Sequence, residues 1–237
     1  MPAMPLFISY FTPDTPYEDR ARNLTRSLSR LDLEHIVEPR PAKSNWVENC
    51  AQKALFIREI WSRVERPVCW VDADAILLRR PHELEGLTCD FAVVRREGWN
   101  FFGGQIYFGK SEAARRMLDR WCMYCRDFPA IWDQVSLGYA WWDREIEGGV
   151  DARWLDEGIF EKANRNPLRA LAQKLTSKAA FLQHQESRRT RRKHKALREK
   201  TVPEFKSGDV PQWWREACAA GVPFVLTARH IAELDLL

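Results

Sequence analysis

Residues 66–81, RPVCWVDADAILLRRP, decide the fold that the sequence predicts. The apolar residues 68–71 are typical of a short strand that is buried on both faces, as in a parallel sheet. Asp72 and Asp74 follow at once, and side chains two residues apart on an extended backbone point the same way. We therefore expect both carboxylates to converge on one point where the strand ends.

This acidic pair predicts a divalent cation. Two bare carboxylates about 4 Å apart repel each other by roughly 4 kcal/mol at an effective dielectric of about 20. Hard oxygen ligands without a thiolate favour Mg²⁺ or Mn²⁺, and such an ion commonly accompanies a phosphate-bearing substrate. The alternative is a plain pair of turn aspartates, since Asp is common where strands end.

Composition and missing motifs narrow the classes of protein. The chain has 237 residues, of which 45% are hydrophobic and 30% charged, as in an ordinary globular protein. The sequence contains neither GxxxxGK[ST] nor GxGxxG, which removes two common nucleotide-binding classes. No apolar run approaches the length of about 20 residues that a membrane-spanning helix needs. The six scattered cysteines favour a reducing, cytoplasmic location.

The chain opens with a predicted strand, turn and helix. Residues 6–11 form the strand, and Thr15 and Glu18 form a capping box around Pro16, before a helix of about 16 residues. A second strand is expected at residues 35–37. A helix that begins directly after a strand offers backbone N–H groups to a nucleotide.

Lys53 lies in the apolar stripe of a second predicted helix, residues 45–64, which Asn45 caps. A buried ammonium group needs a partner, so this lysine is a candidate binding residue. Alternatively, it lies at the edge of the stripe and extends its charge to solvent.

Further candidates follow the next predicted strand, residues 90–94. Gly103 and Gly104 open another strand, where they either permit close approach of a ligand or form a bulge. Asp133 and Gln134 are either site residues or a helix cap with a surface glutamine. The CxxC motif of residues 122–125 has no second ligand pair, so we interpret it as core packing.

Four segments together resemble a known family: FTPDTPYEDRARNL (11–24), NWVENCAQKALFI (45–57), DADA (72–75) and HQESR (184–188). The chain is similar to glycosyltransferases of the GT-A fold, and specifically to a bacterial family of nucleotide-diphospho-sugar transferases. The similarity covers roughly residues 6–192. It implies an α/β fold that is Rossmann-like, with a mixed, mostly parallel central sheet flanked by helices.

The resemblance also assigns roles. It implies that Asp72, Asp74 and His184 bind Mn²⁺ or Mg²⁺, and that Asp133 and Gln134 are catalytic residues facing the sugar. It further implies donor-binding roles for Thr12, Tyr17, Lys53, Asp72, Gly103, Gly104, Arg188 and Arg189. Arginine binds phosphate oxygens bidentately, which suits a departing diphosphate.

The predicted function is metal-dependent transfer of a sugar from a nucleoside-diphosphate sugar to an acceptor hydroxyl, with retention. The acceptor is a glycan, a small molecule or DNA. Residues 188–200 contain eight Lys or Arg, which also fits a DNA-modifying glycosyltransferase acting on a hydroxylated base. A metal-dependent nucleotidyltransferase and a non-catalytic binding module are further alternatives. Residues 1–200 are expected to form the transferase domain, and residues 201–237 a helix and edge strand that pack on it.

Overall fold

A computed structural model describes residues 3–95, 101–127, 129, 132–146, 148–185 and 192. The predicted phosphate ligands Arg188 and Arg189, most of the basic run 188–200 and the extension 201–237 lie outside the described residues.

The described residues contain five α-helices and nine strands. The helices are α1 (Pro16–Arg30), α2 (Trp46–Arg63), α3 (Glu112–Asp127), α4 (Asp133–Ile146) and α5 (Pro167–Thr176). The strands are β1 (Leu6–Phe11), β2 (His35–Pro39), β3 (Val68–Val71), β4 (Ala75–Leu77), β5 (Phe91–Arg95), β6 (Phe101–Phe108), β7 (Ala152–Trp154), β8 (Phe160–Lys162) and β9 (Phe181–Gln183). Short 3₁₀ turns precede β5 and β8.

The central sheet has six strands in the order β2-β1-β3-β6-β5-β7. Strands β2, β1 and β3 are parallel, β6 is antiparallel to both β3 and β5, and β7 is parallel to β5. The predicted mixed, mostly parallel sheet is thus confirmed. The four residues of β3 are all buried, as their continuous apolar run predicts.

The first three strands create a switch in strand order. The chain passes from β1 through α1 to β2 on one side of β1, and then through α2 to β3 on the other side. The carboxyl ends of β1 and β3 therefore border a crevice, because the two crossover connections leave in opposite directions. Ligands of open α/β sheets bind at such a point.

Local sequence explains how α1 and α2 begin. The Thr15 hydroxyl accepts a hydrogen bond from the backbone N–H of Tyr17, and Pro16 occupies the first turn. The side chain of Asn45 accepts from the N–H of Glu48 in the same way. The caps at Thr15 and Asn45 are confirmed, but the predicted capping box is incomplete, because Glu18 accepts from the N–H of Asp14 and not from that of Thr15. Each helix packs one apolar face against the sheet.

A second, three-stranded sheet was not predicted. It has the order β4-β9-β8, with β9 antiparallel to β4 and parallel to β8. The rings of Phe102 and Phe160 stack with their centroids 3.7 Å apart and connect this sheet to β6 of the central sheet. Its strands have only three residues each, too few to show a strand period in the sequence.

The CxxC motif belongs to the core, as predicted. Cys122 and Cys125 are buried free thiols in α3. Within the part of the chain that the structure describes, no helix is long and apolar enough to cross a membrane.

Candidate active site

A cavity of about 630 Å³ opens at the carboxyl ends of β1 and β3. This volume is typical of sites for small ligands. Every predicted site residue that the structure describes lines it, namely Thr12, Tyr17, Lys53, Asp72, Asp74, Gly103, Gly104, Asp133, Gln134 and His184. The structure thus brings together residues from across the first 185 positions of the chain.

Asp72 and Asp74 converge, but for a different reason from the one predicted. Strand β3 ends at Val71, and the backbone N–H of Ala75 donates to the carbonyl of Asp72 at 2.9 Å, so the pair lies in a turn. The expectation of extended backbone here was wrong, because the chain reverses at once to enter β4.

The amide of Gln183 bridges the two carboxylates. Its Nε2 donates to Oδ2 of Asp72 at 3.1 Å and to Oδ1 of Asp74 at 3.3 Å. Pairing of β9 with β4 places Gln183 opposite Ala75 and sets this contact. Both carboxylates therefore face one small space beside the cavity. The Oε1 atom of Gln183 is buried and has no hydrogen-bond partner among the described residues.

The other oxygen of Asp72 faces α2. Oδ1 accepts a hydrogen bond from Nε1 of Trp70 at 2.8 Å and lies 3.2 Å from Nζ of Lys53. The side chains of Trp70 and Asp72, two positions apart in the chain, thus form a hydrogen bond at the end of β3. These contacts hold the Asp72 carboxylate in a fixed orientation.

Lys53 is a buried cation with two acidic neighbours. Its Nζ lies 3.0 Å from Oδ2 of Asp133 and donates to the carbonyl of Gly103 at 3.1 Å. Burial alone would lower the pKa of this ammonium, but the carboxylates of Asp133 and Asp72 raise its pKa well above the usual value. Lys53 is therefore protonated at neutral pH. The alternative of a lysine extending to solvent was wrong, since the side chain is buried.

Asp133 is almost completely buried, with 1% of its surface exposed. Burial raises the pKa of this carboxyl group above its usual value, and Lys53 opposes that shift. The residue is not the cap of α4, because the N–H groups of Val135 and Ser136 bond to the carbonyl of Trp132. Its Oδ1 is buried and has no hydrogen-bond partner among the described residues.

Gln134 is held in place rather than exposed on the surface. Its Nε2 donates to the carbonyl of Phe101 at 2.7 Å, and its side chain crosses β6. A Cβ atom at Gly103 would lie 2.9 Å from Cγ of Gln134, and one at Gly104 would lie 2.6 Å from the ring of Phe102. The absence of a Cβ atom at these two positions of β6 therefore lets the side chains of Gln134 and Phe102 pack directly against the strand.

His184 lies beside the acidic pair. Its backbone N–H donates to the carbonyl of Asp74 at 2.9 Å, and the residue lines the cavity. No group of three or more His, Cys, Asp or Glu side chains within the described ranges is arranged to hold a metal ion. Ligation by His184 together with Asp72 and Asp74 stays a prediction.

Comparison with solved structures identifies the fold. No model of a known protein family matches the chain, and no curated protein matches it by sequence. A glycosyltransferase involved in the glycosylation of the major capsid of PBCV-1 aligns with a TM-score of 0.56 at 12% identity, covering 81% of this chain and 98% of that chain. The glycosyltransferase GlyE of Streptococcus pneumoniae TIGR4 aligns with a TM-score of 0.50 at 10% identity, covering 98% of this chain and 63% of that chain. The chain has a glycosyltransferase fold. The α/β architecture predicted from the GT-A resemblance is thereby confirmed.

Sequence reasoning missed several residues of the cavity in this glycosyltransferase fold. Tyr10, Trp46, Trp70, Trp132 and Gln183 also line it. Trp70 had a usable signal, because it lies on β3 only two residues before Asp72. Gln183 had none, since its role depends on the pairing of β9 with β4.

Proposed function

We propose that this protein is a metal-dependent glycosyltransferase that moves a sugar from a nucleoside-diphosphate sugar to an acceptor hydroxyl with retention. The observation that carries the proposal is the buried charge cluster in the cavity. Lys53 lies between Asp72 and Asp133, beside the bridged pair of Asp72 and Asp74. The glycosyltransferase fold supports the same reaction class.

The acidic pair fits a divalent cation by its donor chemistry. Two carboxylates face one amide group, and hard oxygen donors of this kind suit Mn²⁺ or Mg²⁺. Asp72 and Asp74 would hold the ion, with His184 as the predicted third ligand. When bound, the ion supplies positive charge that stabilises the departing diphosphate.

The other residues of the cavity bind and orient the two substrates. Thr12, just before α1, and Tyr17, in its first turn, line the cavity and would bind the nucleotide. Lys53 fixes the orientation of both Asp72 and Asp133 through its ammonium group. Asp133 adds a fixed negative charge to the cavity wall beside Lys53, and Gln134 lies beside the sugar together with Gly103 and Gly104. Fixed groups of this kind stabilise charge that develops during transfer.

The remaining parts of the proposal concern residues outside the described ranges. Arg188 and Arg189 bind the diphosphate through their guanidinium groups. A transferase domain of residues 1–200, with residues 201–237 as an extension packed on it, stays a prediction. The cytoplasmic location is also a prediction, based on the cysteine usage.

A thermal-shift screen of nucleotide sugars, with and without Mn²⁺, tests donor binding directly. We expect one nucleotide sugar to raise the melting temperature only when Mn²⁺ is present. Lack of any metal-dependent stabilisation would favour a non-catalytic module instead. Product analysis then distinguishes the reaction classes, because glycosyl transfer releases a nucleoside diphosphate and nucleotidyl transfer releases pyrophosphate.

The acceptor and the stereochemistry need separate measurements. Glycans, small molecules and duplex DNA with hydroxylated bases are the acceptor classes to compare. Salt-sensitive binding of DNA would favour the DNA-modifying version, and lack of binding at low salt would exclude it. NMR of the first product formed shows whether the anomeric configuration is retained.

A further inference from the structure

Helix α5 exposes three leucines on one side. Leu168, Leu171 and Leu175 are 79%, 60% and 81% exposed, and no residue of the helix is buried. Their spacing of three and four residues puts them on one face of the helix. We call these three residues the leucine face. Large apolar side chains grouped in this way mark an interaction site more often than scattered ones do.

The helix is attached to the protein by its polar side. Gln173 donates from Nε2 to Oε2 of Glu161 at 2.7 Å and to the carbonyl of Lys162 at 3.1 Å, and it accepts from the N–H of Asn164 at 2.8 Å. At about 100° per residue, Gln173 lies about 140–160° around the helix from each residue of the leucine face. The usual arrangement, with the apolar side toward the core, is therefore reversed.

Positive charge surrounds the leucine face. Arg169 and Lys174 each lie about 100° around the helix from a neighbouring leucine, one on each side. Residues 162–185 contain five Lys or Arg and no Asp or Glu. A cationic helix with an apolar face is typical of segments that lie in the interface of an anionic membrane.

We propose that the leucine face binds the surface of a membrane that contains anionic lipid, with α5 parallel to the membrane plane. The leucines enter the boundary between head groups and acyl chains, while Arg169 and Lys174 contact anionic head groups. A second copy of this chain explains the charges less well, because a two-fold contact through this face would bring like charges together. The inference does not depend on the proposed sugar transfer.

Binding of α5 to a membrane would also bring one wall of the candidate active site toward the membrane surface. Helix α5 follows β8 closely, and Lys162 at the end of β8 lines the cavity. The backbone N–H of Ala163 bonds to the carbonyl of Gln183, the residue that bridges Asp72 and Asp74. A membrane in contact with α5 therefore lies on the side of the protein that contains this wall of the cavity.

Sedimentation with lipid vesicles tests the proposal on the full chain. We expect the wild type to bind vesicles of phosphatidylcholine with phosphatidylglycerol, and not vesicles of phosphatidylcholine alone. The triple variant Leu168→Ser, Leu171→Ser, Leu175→Ser should bind at least about tenfold more weakly, because apolar burial is lost. The variant Arg169→Glu, Lys174→Glu should lose binding to the anionic vesicles, and the binding of the wild type should weaken as the salt concentration rises. Leu55→Ser, at a 39% exposed leucine of α2, is the matched control and should bind as the wild type does.

Two results overturn the proposal directly: no binding by the wild type, or equal binding by the wild type and the triple serine variant. Thermal unfolding and light scattering of the variants, without lipid, test whether the leucine face is covered by another segment of this chain or by a second copy of it. A lower melting temperature of the triple variant would show that another segment of this chain covers the leucine face. A change from dimer to monomer would show that a second copy covers it. Either of these results also overturns the proposal.

Discussion

Nζ of Lys53 lies 3.0 Å from Oδ2 of Asp133, and this ion pair joins α2 to α4 inside the protein. The exposed fractions of the two residues are only 7% and 1%. Neither charge reaches water freely, so each depends on the other. Several properties of the candidate site follow from this dependence.

Lys53→Met should lower the free energy of unfolding by about 3–5 kcal/mol, because it leaves the Asp133 carboxylate buried without its cation. The double variant Lys53→Met, Asp133→Leu should recover most of that loss, since it removes both charges. Urea unfolding of the two single variants and the double variant measures the coupling. As a control, Arg22→Met breaks an exposed ion pair with Glu18 and should cost no more than about 0.5 kcal/mol. Additive effects of the Lys53 and Asp133 substitutions would contradict a direct interaction.

The same pair predicts a pH dependence of stability. The pKa of Lys53 in the folded protein is well above its usual value of 10.5, because Asp133 and Asp72 outweigh the effect of burial. The folded state therefore keeps its proton at pH values where the unfolded state has lost it, and stability falls as the pH rises past 10.5. Below that pH the contribution of Lys53 is complete. The difference in unfolding free energy between the wild type and Lys53→Met should shrink above this pH, as urea unfolding at stepwise pH values can measure. A constant difference through this range would contradict the raised pKa.

Asp72→Asn and Asp74→Asn should each lower sugar transfer by about 10²–10³-fold, since each removes a charged ligand of the proposed cation. The fold should persist, because neither carboxylate is part of the apolar core. Assays of transfer and of Mn²⁺ binding by calorimetry give two independent readouts. Asp19→Asn, at an exposed residue of α1, is the matched control. Full transfer by either site variant would exclude the proposed role of the pair.

Gln183→Glu should make stability depend strongly on a divalent cation. The substitution places a third carboxylate against Asp72 and Asp74, which destabilises the metal-free protein through repulsion. Added Mn²⁺ should restore the melting temperature and raise it more in this variant than in the wild type. Gln183→Leu is the uncharged control, and we expect Mn²⁺ to raise its melting temperature no more than that of the wild type. If Mn²⁺ has the same effect on all three proteins, no cation binds between these side chains.

Gly103→Ala should destabilise the protein by about 1–3 kcal/mol, because the new methyl group would lie too close to Cγ of Gln134. The substitution should also weaken donor binding, since both residues line the cavity. The double variant Gly103→Ala, Gln134→Ala relieves the contact and should recover stability but not activity. Thermal unfolding and the transfer assay together separate the two effects. Failure of the second substitution to restore stability would place the strain elsewhere.

Local signals in the sequence were sufficient for the first three strands and the first two helices. The side chains of Thr15 and Asn45 cap N–H groups only two or three residues further on, and the apolar run of β3 is continuous. Such features depend on neighbouring residues alone, so one sequence reveals them. The same is true of Asp72 and Asp74, whose presence at the end of a buried strand is visible without a structure.

Contacts between distant segments were not visible in the same way. The pairing of β9 with β4 decides that Gln183 bridges the acidic pair, and no local period marks strands of three residues. The burial of Asp133 follows from the packing of α4 against α2 and α3, so the sequence showed a candidate site residue but not its ion pair with Lys53. The cap at Asn166 and the leucine spacing of α5 are visible in the sequence, but nothing in the sequence shows that these leucines face away from the core.

The bridge from Gln183 to Asp72 spans 111 positions of the chain. During synthesis on a ribosome, the acidic turn therefore emerges long before the strand that completes it. A nascent chain released before β9 would present both aspartates without their shared amide, and we expect it to lack a formed donor pocket. Stalled nascent chains of increasing length, tested for retention on immobilised nucleotide, should acquire the pocket abruptly once residue 183 has left the exit tunnel.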